Sequence, residues 1–130
     1  MIRGIGVDIV AIARVRAALS LHGERFARHL LAQDEWDAYL SARDAGRFLA
    51  KRFAAKEAFA KALGTGLRAP VTLTAIAIMH DEAGRPQLRA ASPALADWLA
   101  ERRLTWQVSI SDEADYAVAF VVVEAAEGGN

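Results

Sequence analysis

The sequence predicts a single α+β domain in which a small antiparallel sheet packs on one long central helix. Three features carry that expectation. Stretches alternating between apolar and other residues lie at both ends of the chain. The segment 47–63 is apolar on more than one side at helical spacing. The chain has 130 residues, 54% of them hydrophobic, enough for one core and too few to suggest two independent domains.

From the start, Met1 to Val10 sets Ile5, Val7 and Ile9 against Gly4, Gly6 and Asp8, a short strand with one apolar face. Asp8 falls on the opposite face or at the strand's exit. Ala11 to Leu31 is helical in flavour with a break at Gly23, and Asp34 to Ser41 makes a short helix with acids in its first turn. Arg47 to Leu63 is the long helix, stopped at Gly64-Thr65-Gly66. Leu73 to Ile78 reads as a strand buried on at least one side, and His80 to Pro86 as a turn. Ser92-Pro93, an N-cap followed by proline at the first helical position, opens a helix to Arg103. Thr105 to Ile110 and Tyr116 to Glu124 close the chain as a hairpin. The domain therefore spans residues 1–124, with 125–130 as a frayed tail.

Composition narrows the function classes. No cysteine is present, which removes disulfides, zinc-thiolate sites and thiol nucleophiles. Gly4, Gly6 and Asp8 interrupt the N-terminus, so it does not read as a signal peptide. The longest apolar run, Ala117 to Val123, is far short of a membrane span, and a cytoplasmic protein is expected. Sixteen basic residues balance sixteen acidic ones. Zero net charge and the lack of aromatic interleaving in the first helix argue against nucleic acid as a partner. Basic groups nevertheless concentrate in residues 1–30 (Arg3, Arg14, Arg16, Arg25, Arg28) and in residues 43–68, where anionic partners could be met.

The chemistry-bearing features are ordinary when taken singly. Glu57 and Lys61 form an i, i+4 pair common on any helix. Asp8 could simply cap the helix after its strand. Gly64-Thr65-Gly66 is a helix terminator and not the Walker-type GxxxxGK[ST] loop. In combination they say more: two carboxylates, with Lys51, Arg52 and Lys56 as a cationic surround, are what an Mg²⁺-diphosphate complex requires. Mg²⁺ prefers oxygen ligands, keeps several waters, and is usually held by one or two carboxylates plus substrate phosphates.

Two strings, Gly4-Ile5-Gly6-Val7-Asp8-Ile9-Val10 and the run from Phe53 to Gly66, resemble the two signature motifs of holo-acyl carrier protein synthases, the small bacterial type of 4′-phosphopantetheinyl transferase. Gly84-Arg85-Pro86 resembles the family's Gly-Lys/Arg-Pro turn, and the likeness continues from Val108 to Glu124. The resemblance implies transfer of 4′-phosphopantetheine from coenzyme A to a serine of an apo acyl carrier protein. Asp8 and Glu57 match the family's Mg²⁺ ligands, and Lys61 the lysine facing the coenzyme's diphosphate. Gly64, Thr65 and Gly66 fall in the matched motif at the coenzyme, and Lys51, Arg52, Arg47 and Arg43 resemble groups near its phosphates. Arg14, with Arg25 and Arg28, resembles the arginines that receive the carrier's acidic helix. A homotrimer with shared sites is implied too. The serine proton would go to a water on the metal oriented by Glu57, or to Glu57 itself. Many relatives carry histidine where this chain has Asp112, which argues against an essential histidine; His22, His29 and His80 read as surface or packing residues. A non-catalytic coenzyme A-binding module of the same fold is the alternative.

Overall fold

The computed structural model describes residues 1–126. Strands β1 (Ile2–Ala11), β4 (Leu104–Asp112) and β5 (Tyr116–Ala125) form an antiparallel sheet in the order β1-β5-β4. Its register sets Asp8 opposite Ala119 and Ala119 opposite Ile110. A second, two-stranded sheet pairs β2 (Ile76–His80) with β3 (Pro86–Ala90). The helices are α1 (Ile12–His22), α2 (Glu24–Leu30), α3 (Trp36–Leu40), α4 (Ala45–Leu63) and α5 (Pro93–Glu101).

α4 is the central helix, and its ends are set chemically. At its start the Asp44 carboxylate accepts a hydrogen bond from the Arg47 backbone N–H at 3.1 Å, satisfying one of the otherwise unpaired first-turn donors. At its end Gly64 takes φ 80°, a left-handed conformation that glycine adopts without the steric cost a side chain would bring. Between them Leu49, Ala50, Ala54, Ala55, Ala58 and Phe59 are buried. The Phe59 ring meets Trp106 of β4 at 5.4 Å between centroids, and the Trp106 Nε1–H donates to the Leu88 carbonyl of β3 at 2.7 Å. One tryptophan thereby joins the helix, the large sheet and the small hairpin.

The apolar face expected on β1 turns outward. Ile5, Val7 and Ile9 are exposed, and with Phe120 and the half-buried Val118 and Val122 they make one continuous apolar surface on the outer side of the sheet. The face against α4 is the one bearing Gly4, Gly6 and Asp8. A Cβ at Gly4 would lie 2.0 Å from the Ala62 carbonyl oxygen, and one at Gly6 would lie 2.0 Å from that of Ala58. Strand and helix backbones touch there, with no side chain between them.

Several boundaries differ from the sequence expectation. Leu73–Ala75 is a 3₁₀ turn, so β2 begins at Ile76 and runs through His80. β3 was not expected, because it opens on a proline and carries Gln87 and Arg89. The turn preceding it is built by Asp81, whose carboxylate accepts from the N–H groups of Ala83 and Arg85. Ala125 of the expected tail belongs to β5, and residues 127–130 of that tail lie outside the described residues.

Candidate active site

Asp8 and Glu57 are brought together by the close contact of β1 with α4. Two strand residues advance roughly 6.7 Å and four helical residues roughly 6 Å, so the two elements keep step. With Gly4 on Ala62 and Gly6 on Ala58, the next inward residue, Asp8, comes level with the turn around Ala54, beside Glu57. Both carboxylates line one cavity of about 300 Å³, together with Arg14 of α1 and an apolar wall of Val15, Phe26 and Phe53. Lys61, one turn beyond Glu57, donates from Nζ to Asp8 Oδ1 at 3.2 Å and to the Val7 carbonyl at 3.0 Å.

Among the described residues Glu57 makes no hydrogen bond and no ion pair. Burial, and then the neighbouring Asp8, hold its carboxyl above the ordinary carboxylate range, while Lys61 partly offsets them. Of the two crowded acids, Asp8 has Lys61 as a donor and Glu57 has none, an arrangement that could accept a cation. Their oxygens suit a hard divalent ion that keeps most of its waters. No larger cluster of metal-binding side chains occurs among the described residues, so an ion here would draw its remaining ligands from water and substrate.

The wider cationic surround divides. Arg52 and Lys56 are buried on another side of α4, where both pair with Glu35: Lys56 Nζ to Oε1 at 2.5 Å and Arg52 Nη1 to Oε2 at 2.8 Å. Lys56 also donates to the carbonyls of Leu30 and Leu73, and Arg52 to that of Ile78. Arg52, expected near the coenzyme's phosphates, is largely buried, with its carboxylate partner 17 residues earlier, and it also lines the cavity shared by Lys51, Arg47 and Arg43. Glu35 carried no special weight in the sequence, where it reads as one acid of a short helix.

Residues 4–121 match the family model of the 4′-phosphopantetheinyl transferase superfamily. The chain belongs to that superfamily. Among relatives of this transferase, the holo-[acyl-carrier-protein] synthase of Azoarcus sp. (strain BH72) is 56% identical over 124 residues, covering 95% of this chain and 98% of its own. The crystal structure of holo-[acyl-carrier-protein] synthase from Neisseria meningitidis superposes with a TM-score of 0.92 at 45% identity, covering 95% of this chain and 99% of its own. The holo-(acyl-carrier-protein) synthase of Bacillus anthracis in complex with CoA (3′,5′-ADP) gives 0.82 at 32% identity, covering 97% and 99%.

The remaining sequence-expected residues of the transferase are distributed unevenly. Arg14 is at the Asp8–Glu57 cavity. Arg28 pairs with Glu24 at 2.7 Å and stacks on Trp36, while Arg25 lies exposed on the same helix, α2. Lys51, Arg52, Arg47 and Arg43 line a second cavity of about 250 Å³ with Ile110 and His80. It opens on the β4 side of α4, whereas the first opens on the β1 side. There Asp112 accepts from Arg47 Nη1 at 2.8 Å and meets Lys51 Nζ at 3.6 Å; the Arg47 hydrogen bond above all holds its carboxyl below the usual range. Arg47 is thus engaged by an acid of its own chain. His80 faces this cationic cavity, and burial, then Arg52 and Lys51, push its imidazole down. Gly64, Thr65 and Gly66 close α4 and do not reach the first cavity: the Gly64 and Gly66 N–H groups bond the Lys61 and Ala60 carbonyls, and the Thr65 hydroxyl donates to the Gly66 carbonyl. No helix among the described residues is long and apolar enough to cross a membrane.

Proposed function

We propose that this chain transfers the 4′-phosphopantetheine group from coenzyme A to a serine hydroxyl of an apo acyl carrier protein, in the cytoplasm and with Mg²⁺ at Asp8 and Glu57. The observation that carries the reading is the pair of carboxylates facing one cavity, one of them without an internal partner and raised by burial and by its neighbour. In the reaction the serine oxygen bonds to the phosphorus bearing pantetheine. The bond from that phosphorus to the bridging oxygen breaks, and adenosine 3′,5′-bisphosphate departs with that oxygen. Bound Mg²⁺ would neutralise charge on the phosphate oxygens.

The chain's own groups do the rest. Lys61, held beside Asp8 by its bonds to that carboxylate and to the Val7 carbonyl, would add a second positive charge toward the diphosphate. Glu57, facing the same cavity, would take the serine proton or orient a water that takes it. Arg14 at the cavity, with Arg25 and Arg28 on α2, receives an acidic carrier helix by steering that weakens with salt. Arg43, which makes no ion pair among the described residues, and Lys51, which meets Asp112 only at 3.6 Å, are the cations of the second cavity best able to meet the coenzyme's remaining phosphate, since Arg47 and Arg52 are held more closely by internal partners. The outward apolar face of Ile5, Val7, Ile9 and Phe120 supports assembly as a homotrimer, and a single-copy mass in sedimentation would refute it.

Mass spectrometry of an apo carrier protein incubated with coenzyme A and Mg²⁺ tests the reaction. Glu57→Gln should lower the transfer rate by about 10³-fold while the protein stays folded. Wild-type turnover from that variant would remove Glu57 from the site.

A further inference from the structure

α1 begins without a side-chain cap: its N-cap is Ala11, and the first helical N–H, that of Ile12, donates instead to the Asp115 carbonyl at 2.9 Å. Asp115 belongs to the tip of the β4–β5 hairpin. The two preceding carbonyls of that tip, Glu113 and Ala114, accept from the Arg47 guanidinium at 2.7 and 3.3 Å. Three consecutive backbone acceptors therefore tie the hairpin to α4 on one side and to α1 on the other. A second tie runs through side chains. Arg16 of α1 meets Asp44 at 2.5 Å, Asp44 meets Arg47 at 3.5 Å, Arg47 meets Asp112 at 2.8 Å, and Asp112 meets Lys51 at 3.6 Å. Charges of alternating sign thus run from α1 across the start of α4 to β4. Arg16 needs room to join it. A Cβ on Gly46 would stand 2.4 Å from Arg16 Cγ, so the missing side chain at Gly46 is the seat in which Arg16 lies.

Arg14 and Arg16 are about 200° apart around α1, so the helix is anchored by one face while the other presents Arg14 to the Asp8–Glu57 cavity. We propose that Asp44 is a positioning residue: through Arg16 and Arg47 it sets the stance of α1 over the cavity, and thereby the affinity for the acyl carrier protein, leaving the chemical step untouched. This rests on the functional reading above, in which the Arg14 face of α1 receives an acidic partner. Arg16 and Asp44 are both partly exposed, and exposed pairs add little to stability, so loss of the tie should be read in recognition more than in folding.

The test is steady-state transfer with the full chain, varying carrier protein and coenzyme A separately. Asp44→Asn keeps a side chain that can cap α4 but removes the charge that holds Arg16 and Arg47. Gly46→Ala displaces Arg16 from its seat without altering any charge, and alanine favours the helix. Each should raise the carrier KM by about three- to fivefold, with kcat and the coenzyme A KM within about twofold of wild type. Because Gly46→Ala acts only through Arg16, which Asp44→Asn already releases, the double variant should be no worse than Asp44→Asn alone. Simple electrostatics has the opposite sign: removing an acid beside a basic surface should tighten binding of an acidic carrier. A carrier KM that falls or stays put in Asp44→Asn, a parallel drop in kcat, or additive effects in the double variant would each overturn the inference alone. Absence of transfer by the unaltered chain would overturn the functional reading, and this inference with it.

Discussion

Two glutamates meet α4 in opposite ways. Glu35, fully buried, accepts from four donors, the Lys56 ammonium, the Arg52 guanidinium and the N–H groups of Ala32 and Ile78. Glu57, on the helix itself and only partly buried, has no donor and a carboxylate for a neighbour. Burial alone therefore does not mark a functional acid here. Saturation does: a carboxylate whose lone pairs are all engaged holds the fold, and one left without partners beside a second acid is available to a ligand.

The largest expected effect breaks the saturated side. Glu35→Ala would leave two buried cations without a counter-charge and should cost about 3–5 kcal/mol in urea unfolding; a loss below about 1 kcal/mol would mean that the cluster is not a structural anchor. Next comes the pH dependence of that cluster. Burial lowers the Lys56 ammonium from 10.5 to about 8, with Glu35 opposing. Between those values the unfolded chain binds a proton that the folded chain has lost, so stability should climb with rising pH, by up to about 3 kcal/mol relative to Lys56→Met across that window. A flat difference would show the ammonium to be unperturbed.

Smaller effects sharpen the unsaturated side. Gly6→Ala forces a Cβ against the Ala58 carbonyl, so β1 and α4 must separate; about 1–3 kcal/mol of stability should go, together with transfer activity, because Asp8 moves away from Glu57. Retained kcat in a destabilised variant would detach the carboxylate spacing from catalysis. The smallest effect is Glu57→Gln on stability. The raised carboxyl means that folding favours the protonated form, so the ionised form weighs against the fold at neutral pH and ceases to do so once the pH drops below the ordinary value of 4.5. The variant should melt slightly above wild type at pH 7, with the gap closing in acid. A fall in melting temperature at pH 7 would show that Glu57 contributes to the fold.

Much of this was legible in the sequence. The long helix, its glycine stop, Ser92 as a cap with its side chain accepting from Leu95 N–H, and the terminal hairpin all follow local rules. Asp8 and Glu57 were recognisable from their motifs, and a stripe of small residues at Ala54, Ala58 and Ala62 facing Gly4 and Gly6 would have put them side by side. Less visible was which charges point inward. Lys56 and Arg52 look like surface cations because their partner, Glu35, is distant in sequence and sits in an unremarkable acidic turn. The outward turn of Ile5, Val7 and Ile9 was equally hidden: alternation reveals that a strand has two faces, and only the glycines' lack of bulk reveals which one a helix can approach.

The bare backbone contact between β1 and α4 acts like a machined joint with no gasket. Side chains between two elements can change rotamer and absorb small displacements, whereas two main chains at touching distance cannot. The gap between the acids at the end of that joint is then set by peptide geometry, a dimension that thermal motion of side chains cannot retune and that drift elsewhere in the sequence leaves alone.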